Sequence, residues 1–323
     1  MILSPEEIEK RVADSYELPN KVLEQVADPI VSVRTSTYNH APYIKQCIEG
    51  VLMQKTTFPF EFIIGEDFST DGTRDIVFEY AKRYPNIIRV VSADYNVGSK
   101  ANGQRCIQRC RGKYIAICEG DDYWIDPLKL QRQVEFLETH SDYSMCFHNA
   151  FIYYVQQHNT KLFNHFTDDC DLSMHDAIHF WHVPTASILI RKEEVYYPNW
   201  LVRIYCGDYP LIIYACHKGK IRCFHNIMSV YRVNTIGTSA TSQVLKRIIF
   251  TSEQKILLLK SFDKGTNQKY HNDIESKIEE LQDEIKFQKI KCSKNPLKIV
   301  LSMDLILKRI WIKFKIYYDK FRK

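Results

Sequence analysis

The sequence predicts an α/β fold, in which a Rossmann-like, mostly parallel sheet is flanked by helices and followed by a C-terminal helical appendage. From Ile30 onward, short runs of apolar and β-branched residues alternate with segments of helical periodicity, which is the pattern of consecutive βαβ units. Each apolar run ends in a polar loop. Because ligands of open parallel sheets bind beyond the carboxyl ends of the strands, we expect a functional site among these loops.

The first half of the chain is expected to hold four strands with helices between them. The strands are predicted at residues 30–35, 61–66, 87–92 and 114–118. The intervening helices are indicated by apolar residues at helical spacing within residues 43–52, 76–84 and 101–110.

The pattern loosens after Asp122. Helices are predicted at residues 127–140, 208–218 and 254–288, and strand-like segments at residues 145–155 and 186–191. We therefore divide the chain into a helical lead, a main domain with two halves, and a helical C-terminal region. Their bounds are residues 1–28, 29–240 (halves 29–125 and 126–240) and 241–323.

The amino terminus has the signals of a short helix. Ser4, Pro5 and Glu7 have the residue types of an N-cap, a first-turn proline and a capping-box glutamate. No basic stretch leads into an apolar run there, so we expect a cytoplasmic protein.

Charge is concentrated at the end of the chain. The net charge is +5, but residues 289–323 carry eleven Lys and Arg against two Asp, a charge of +9, which leaves −4 for the remainder. The Lys and Arg of the main domain are scattered and accompany no recognition motif. Nucleic-acid binding is therefore not indicated.

The ten cysteines lie mostly within predicted strands and helices, without CxxC pairs or CxxH spacing. This distribution is typical of buried, reduced thiols, and a zinc site is not expected.

The motif EGDDYW, residues 119–124, follows an apolar strand directly. Adjacent carboxylates at a strand end repel each other unless a cation or hydrogen bonds compensate them. Mg²⁺ and Mn²⁺ prefer oxygen ligands and are commonly held by one or two carboxylates with substrate phosphates. We expect such a divalent metal at Asp121 and Asp122. The alternative is that an Asp caps the helix that follows.

A second acidic loop, GEDFSTDGT at residues 65–73, also follows a strand and opens a helix. Asp71 or Ser69 would cap the turn, and Gly72 would permit the bend. That local explanation does not account for Asp67.

Taken in order, these motifs resemble family 2 glycosyltransferases of the GT-A fold over residues 29 to 240. The matching segments are VSVRTSTYNHAPYIKQCIEGVLMQ at residues 31–54, EDFSTDGT, NVG at residues 96–98 with Asn102, and EGDDYW. One such motif would be weak evidence, whereas four in the right order are specific.

The resemblance implies a role for each matching residue. Ser36 and Tyr38 would lie against the nucleotide, and Asp67 would hydrogen-bond the nucleobase. Asp121 and Asp122 would form the DxD-type site, with Asp122 as the metal ligand. The further donor-site candidates from these motifs are Asn96 and Asn102. Glu119 stands where the family commonly has Asp, which keeps a carboxylate and makes it a second candidate metal ligand.

The family's catalytic base usually lies in an acidic dipeptide that heads a helix, and CGDYPLIIYACHKGKI at residues 206–221 matches that context. Asp208 is the candidate base, although Gly207 replaces the usual preceding Glu. A carboxylate at a helix N-terminus is favoured as the anion and could accept a proton from a hydroxyl. The alternative is that Asp208 is only the helix N-cap.

The segment VYRVNTIGTS at residues 230–239 resembles a loop that closes over the diphosphate, where Arg232 or Tyr231 could meet phosphate. Asn234 stands where many relatives have His. Arg191 could bind phosphate, bind the acceptor or form a surface ion pair. His148, Asn149, His182 and Thr185 fall where the acceptor pocket is expected.

The resemblance implies an inverting transferase that moves one sugar from a nucleoside-diphosphate sugar, with UDP favoured, to a hydroxyl of a glycan or lipid-linked acceptor in polysaccharide assembly. The expected partners are thus donor and acceptor, without nucleic acid. The sequence has no QxxRW motif of processive synthases. Two alternatives stay open, namely a nucleotidyltransferase and an inactive glycan-binding or partner-supporting module.

The tail, residues 296–323, has the pattern of a basic amphipathic helix with aromatic residues on its apolar face. Such a helix suits an anionic membrane surface, which would make the protein peripheral on the inner face of the cell membrane. The alternative is packing on the main domain or on a partner subunit.

Overall fold

The computed structural model describes residues 3–20, 22, 28–195, 207–234 and 244–293. The tail and residues 235–239 of the predicted diphosphate loop lie outside these ranges.

The described residues form a mixed sheet flanked by helices. The strands are β1 Tyr16–Glu17, β2 Val31–Thr37, β3 Phe60–Glu66, β4 Ile88–Ser92, β5 Tyr114–Ile117, β6 Tyr123–Trp124, β7 Tyr143–Tyr154, β8 Asn159–Leu162, β9 Cys170–Leu172, β10 Leu189–Arg191 and β11 Lys220–Val233. The helices are α1 Pro5–Ala13, α2 Ile44–Leu52, α3 Thr73–Arg83, α4 Ser99–Arg109, α5 Lys129–Thr139, α6 Met174–His179, α7 Tyr209–Lys218, α8 Val244–Gly265 and α9 His271–Ser293.

The strand order confirms the predicted α/β class. The sheet runs β1-β4-β3-β2-β5-β10-β7-β11-β6, with β8 beside β7 and β9 beside β11. Strands β4, β3, β2 and β5 are parallel, so their carboxyl ends meet at one edge. β10 is antiparallel to both β5 and β7, and it joins the two halves of the sheet.

Helices cover both faces of the sheet. On one face, α2, α3 and α5 pack through residues such as Ile48, Val77 and Val134. On the other face, α4 and α7 contribute Cys106 and Leu211. Burying apolar side chains on both faces supplies the main stabilising free energy of such a fold. The cysteines in the described residues are free thiols, most of them buried, as predicted.

The C-terminal helices α8 and α9 pack on the outer side of α7. Leu258, Phe262 and Ile274 meet Ile213 of α7 and Ile178 of α6 in a separate apolar cluster. Within the described part of the chain, no helix is long and apolar enough to cross a membrane.

The predicted start of α1 is confirmed in part. Ser4 caps the helix by accepting the Glu7 N–H at 3.2 Å, and Pro5 is in the first turn. The Glu7 carboxylate instead accepts Arg11 Nε at 2.8 Å. One turn further along the helix, Arg11 offers a charged donor, and an i, i+4 ion pair forms.

The structure differs from the sequence analysis in three places. The helix predicted at residues 254–288 is divided between α8 and α9. Residues 220–233 form the long strand β11, which pairs with β7 and was not predicted. Arg191 is buried, and its guanidinium donates to the carbonyls of Tyr143 and Leu137 at 2.8 and 2.6 Å. It therefore neither faces a phosphate nor forms a surface ion pair, because its donors are used to fasten β10 to the chain around β7.

Lys129 is fully buried in helix α5, with its ammonium group 4.0 Å from the ring centroid of Trp124. Its Nζ has no hydrogen-bond partner. Desolvation lowers the pKa of this amine to about 7, against the attraction of the nearby Cys118 and Cys146 thiols. The unfolded chain binds a proton at this lysine up to about pH 10.

The Lys129→Met variant should therefore be more stable than the parent protein at neutral pH, by on the order of 3 kcal/mol. Between about pH 7 and about pH 10, Lys129 is protonated in the unfolded chain and largely neutral in the folded protein. The folded parent protein therefore gains stability as the pH rises through this range, and the advantage of the variant shrinks. Urea unfolding of both proteins across this pH range measures the difference.

Lys82→Met, at an exposed position, is the control and should show neither effect. An advantage of Lys129→Met that stayed constant from about pH 7 to about pH 10 would contradict the titration of a buried amine.

Candidate functional site

The candidate site lies at the edge where β2, β3, β4 and β5 end. The loops that follow these strands are cross-linked by short polar contacts. Asn39 Oδ1 accepts the Thr70 N–H at 3.0 Å, and the Asn39 N–H donates to Ser69 Oγ at 3.0 Å. Asn39 and Phe68 have positive φ angles of 54° and 61°, so the loops keep backbone conformations that cost free energy and persist only where surrounding contacts hold them.

Asp122 is the most deeply buried acid of the EGDDYW loop, with 2% of the residue exposed. Its Oδ1 accepts the backbone N–H of Arg232 at 2.8 Å, and its own N–H donates to the Glu119 carbonyl at 3.0 Å. Burial and then the neighbouring Asp121 raise the pKa of Asp122 well above its usual range. A cation beside this acidic pair would favour the charged form of the buried Asp122.

The alternative that this pair caps the next helix was wrong. Helix α5 begins at Lys129, and Asp126 supports its start by accepting the Leu128 N–H at 2.8 Å. Asp121 turns instead to Asn234, whose amide donates to Asp121 Oδ2 at 3.2 Å.

Gly120 allows the acidic loop to lie against β2. The Gly120 N–H donates to the Ser36 carbonyl at 3.1 Å. A Cβ at this position would stand 2.7 Å from Thr37 Oγ1 and 2.9 Å from His40 Nδ1, which is closer than van der Waals contact allows. The absence of a side chain is therefore a packing requirement here.

The guanidinium of Arg232 lies over two aromatic rings. Its Cζ lies 4.2 Å from the ring centroid of Tyr123 and 5.2 Å from that of Tyr43. Nη1 donates to the Asp121 carbonyl at 2.7 Å, and Nη2 donates to the Gln46 amide oxygen. Arg232 thus positions the acidic loop and places a positive charge beside it.

Glu119 is engaged by neighbours on β2. One carboxylate oxygen accepts Arg34 Nη2 at 3.0 Å, and the other accepts the Ser36 N–H at 3.2 Å. Arg34 Nη1 also donates to Ser36 Oγ at 2.8 Å. This arrangement favours Asp122 over Glu119 as a metal ligand, since Glu119 would have to leave two partners. Tyr38, which directly follows β2, is 44% exposed.

Asp67 is buried at the end of β3 and holds the NVG loop. Its two carboxylate oxygens accept the N–H groups of Val97 and Gly98 at 2.8 and 3.0 Å. Arg105 Nη2 lies 3.8 Å from Asp67 Oδ1. Burial is the largest influence on the carboxyl and raises its pKa, although these N–H groups and Arg105 act in the opposite direction.

The two asparagines of this region contact backbone and side-chain groups of the chain itself. Asn96 Nδ2 donates to the Asp67 carbonyl at 3.1 Å. Asn102 is buried, donates to the Gly65 carbonyl at 2.9 Å and accepts Arg105 Nε at 2.9 Å. Asn102 therefore joins helix α4 to the end of β3, next to Asp67.

Asp208 precedes helix α7, and its side chain makes no capping hydrogen bond. Its Oδ2 accepts the Thr185 hydroxyl at 2.7 Å. The next residue on that loop, Ala186, accepts Trp124 Nε1 through its carbonyl at 2.7 Å. The structure therefore links the candidate base to the acidic loop, and the Asp208 carboxylate is not used to cap its helix.

The remaining acceptor-side candidates are mainly structural. Both ends of the Asn149 side-chain amide are used. Nδ2 donates to the Asn164 carbonyl, and Oδ1 accepts the N–H groups of Ala150 and Asn164. His182 Nδ1 lies 3.1 Å from Asn164 Oδ1. His148 is buried, with Nδ1 at 2.8 Å from the Asn149 carbonyl and Nε2 without a partner. Burial and then the charge of Lys129 lower the pKa of His148 well below its usual range.

A family model agrees with this arrangement. The model described as Glycosyl transferase family 2 matches residues 32–215, which include the loops of the site from β2 to the start of α7.

Three known proteins show how far the likeness extends. A Mycobacterium tuberculosis protein described as uncharacterized is 35% identical over 207 residues, which are 64% of this chain and 60% of that protein. The Escherichia coli protein named UDP-Glc:alpha-D-GlcNAc-diphosphoundecaprenol beta-1,3-glucosyltransferase WfaP is 25% identical over 242 residues, 71% of this chain and 91% of that protein. The solved structure of the mannosyltransferase PcManGT from Pyrobaculum calidifontis, in complex with GDP-Man and Mn²⁺, has a TM-score of 0.53 at 13% identity, covering 98% of this chain and 91% of that chain. The last comparison shows a shared fold.

Replacing Asp67 by Ala should destabilise the protein by about 3 kcal/mol, because the buried Val97 N–H and the partly buried Gly98 N–H lose their acceptor and the buried Arg105 charge loses a partner. Chemical unfolding of the variant measures the loss.

Asp71→Ala is the control for this loop. Asp71 is less buried and accepts the Ala41 and Thr73 N–H groups at 2.9 and 3.0 Å, so its loss should cost only about 1 kcal/mol. Equal costs for the two variants would contradict the role given to Asp67.

Proposed function

The chain belongs to glycosyl transferase family 2 and has the GT-A type fold; from this premise we propose that it transfers one sugar from a nucleoside-diphosphate sugar to a hydroxyl of a glycan or lipid-linked acceptor. We propose UDP as the nucleotide and surface-glycan assembly as the setting. Both are supported by the name of the Escherichia coli relative, which combines a UDP-sugar donor with a diphosphoundecaprenol-linked acceptor.

The observation that carries this proposal is the acidic pair Asp121–Asp122, of which Asp122 is buried, at the carboxyl edge of the parallel strands. Burial, and then repulsion by the Asp121 carboxylate, raises the pKa of Asp122 well above its usual range, so the charged form is unfavourable without a cation. The carboxylate contacts described above come from a backbone N–H and an amide. The groups that could bind a cation at this pair are carboxylate oxygens. They suit a hard divalent cation, Mn²⁺ or Mg²⁺, with Asp122 as its protein ligand.

When bound, the cation would offset negative charge on the diphosphate. The protein's own residues have separate tasks in the proposal. Ser36 and Tyr38 border the nucleotide, and the Asp67 carboxylate, fixed against residues 97 and 98, faces the nucleobase. Arg232 keeps the acidic loop in place through the Asp121 carbonyl.

Asp208 is proposed as the general base. Its carboxylate Oδ2 accepts the Thr185 hydroxyl, and a carboxylate oxygen has further lone pairs for an acceptor hydroxyl. Removal of that proton accompanies attack on the anomeric carbon from the face opposite the diphosphate, which inverts the configuration. Thr185 fixes the orientation of the base, and the same loop touches Trp124 beside the acidic pair.

Nucleotide binding should depend on metal and on Asp122. Calorimetric titration of UDP, GDP and dTDP, each with and without Mn²⁺, is expected to show binding of UDP that requires Mn²⁺ and is lost in Asp122→Ala, since the variant lacks the oxygen ligand.

Asp126→Ala is the matched control, because Asp126 lies four residues away, pairs with Arg132 and supports α5. It should bind like the parent protein. No binding of any nucleotide by the parent would contradict the transferase proposal and favour an inactive module.

Asp208→Asn should lower transfer at least about 100-fold, because the amide cannot accept a proton from the acceptor. Thr185→Val should lower it less, since it removes only the bond that orients the base. Both variants should keep the UDP affinity of the parent. Release of UDP from the donor with a polyprenyl-diphosphate-linked acceptor measures transfer, and unchanged transfer in Asp208→Asn would exclude this residue as the base.

A further inference from the structure

A second group of metal-ligating side chains lies between α6 and α9, away from the acidic loop. His175 and His179 are four residues apart on α6 and therefore project from the same side of the helix. Their rings stack, with centroids 4.4 Å apart and planes 28° apart. Asp273, in the first turn of α9, approaches both rings.

The ligand atoms of the three side chains converge on one point. His175 Nδ1 lies 2.7 Å from Asp273 Oδ1, and His179 Nε2 lies 3.9 Å from the same oxygen. The three ligand atoms, one from each side chain, all lie within 4.8 Å of one another. Ligand atoms of a tetrahedral zinc site stand about 3.3 Å apart, as bonds of about 2.0–2.1 Å require. The observed separations bracket that value, so small side-chain rotations suffice.

His179 supplies the observation that points to a ligand. Its side chain is 7% exposed, and its Nε2 is buried without a hydrogen-bond partner while facing Asp273. A buried ring nitrogen without a partner costs free energy, whereas a metal ion would satisfy it.

The other nitrogen of the same ring has a carboxylate partner. His179 Nδ1 lies 3.4 Å from Glu280 Oε1, and Lys277 holds Glu280 at 2.9 Å. Lys277 Nζ also donates to the His179 carbonyl at 3.0 Å. In metal sites, a carboxylate on the second ring nitrogen fixes the tautomer and presents the first nitrogen to the ion.

We propose that His175, His179 and Asp273 form a binding site for a divalent transition metal, zinc by its ligand chemistry, that clips α9 to α6. Two imidazoles and one carboxylate are the ligands of Zn²⁺ rather than of Mg²⁺ or Ca²⁺. Solvent supplies the fourth ligand, since the side chains of His175 and Asp273 are 56% and 38% exposed. Cysteine spacing does not reveal this site, because no cysteine takes part.

The clip would act on the helix that carries the candidate base. Tyr209 follows Asp208, and its hydroxyl donates to the Ile178 carbonyl of α6 at 2.8 Å. Ile178 packs with Ile213 of α7 and Ile274 of α9. A metal that joins α6 to α9 would therefore stabilise the docking of the helical appendage against α7, and its role is structural.

The test uses the full chain without an affinity tag, stripped of metal with a chelator, in the Asp122→Ala background so that the acidic loop contributes no ligand. Titration with Co²⁺ should produce visible absorption bands typical of tetrahedral nitrogen and oxygen ligands, without thiolate bands. The absorption should saturate at one equivalent of Co²⁺. Zn²⁺ should displace it and raise the thermal midpoint by several degrees. Both effects should be lost in His175→Ala and in Asp273→Asn.

His175→Ala changes an exposed side chain, and Asp273→Asn keeps the shape of the residue, so both variants should fold. His271→Ala is the matched control, because His271 forms a comparable pair with Asp263 at 2.8 Å on the same helical hairpin. It should bind Co²⁺ like the parent. Absence of Co²⁺ binding in the parent, or equal binding in Asp273→Asn, would overturn the proposal without bearing on nucleotide binding.

Discussion

The hydrogen bond between the Arg232 backbone and the Asp122 carboxylate joins parts of the sheet that are far apart in the chain. It links the end of β11 to the loop after β5, and β10 and β7 lie between these two strands. The bond fixes a buried acid whose charge is unfavourable at that depth. Gly120 lets the loop approach β2, and the aromatic rings around Arg232 hold its guanidinium beside the loop. The site thus depends on keeping this carboxylate buried and oriented.

The acidic residues of the site differ in what compensates their charge. Glu119 meets the Arg34 guanidinium, and Asp67 meets two N–H groups with Arg105 behind them. Arg232, in contrast, directs its guanidinium to the Asp121 carbonyl and to Gln46. These hydrogen bonds and ion pairs hold Glu119 and Asp67 in place, whereas the Asp121–Asp122 pair has no guanidinium partner among the residues that the structure describes and offers its charge to a cation.

Local patterns predicted the first half of the fold well. The four parallel strands and α5 lie within two residues of their predicted bounds, because each is a short apolar run or periodic segment that buries against its neighbours. The acidic loop was also predictable, because its carboxylates are adjacent in the sequence. Strand β11 was missed because its register with β7 shifts between Phe224 and Ile227 and again before Ser229, which breaks the alternation of a strand.

Contacts distant in sequence explain the other differences. The role of Arg191 depends on the carbonyls of Tyr143 and Leu137, which lie about 50 residues earlier in the chain and reach it only through the fold. The His175–His179 spacing was visible, but Asp273 lies on another helix and gives no local signal. The partner of Asp208 is likewise a threonine from a separate loop. Sequence periodicity describes elements, whereas these side chains acquire their roles from packing between elements.

The same packing explains why the Asp208 carboxylate does not cap helix α7. A helix N-terminus usually recruits a side chain to cap its free N–H groups, and Asp is a favoured cap. Here Pro210 lies in the first turn and has no N–H to satisfy, while the Tyr209 hydroxyl fastens α7 to α6. Thr185 takes the carboxylate instead and joins it to the loop that also contacts Trp124. The position of Asp208 is therefore set by tertiary contacts that extend from the acidic loop to the C-terminal helices, and its carboxylate is not used to cap α7, as the proposed role of general base requires.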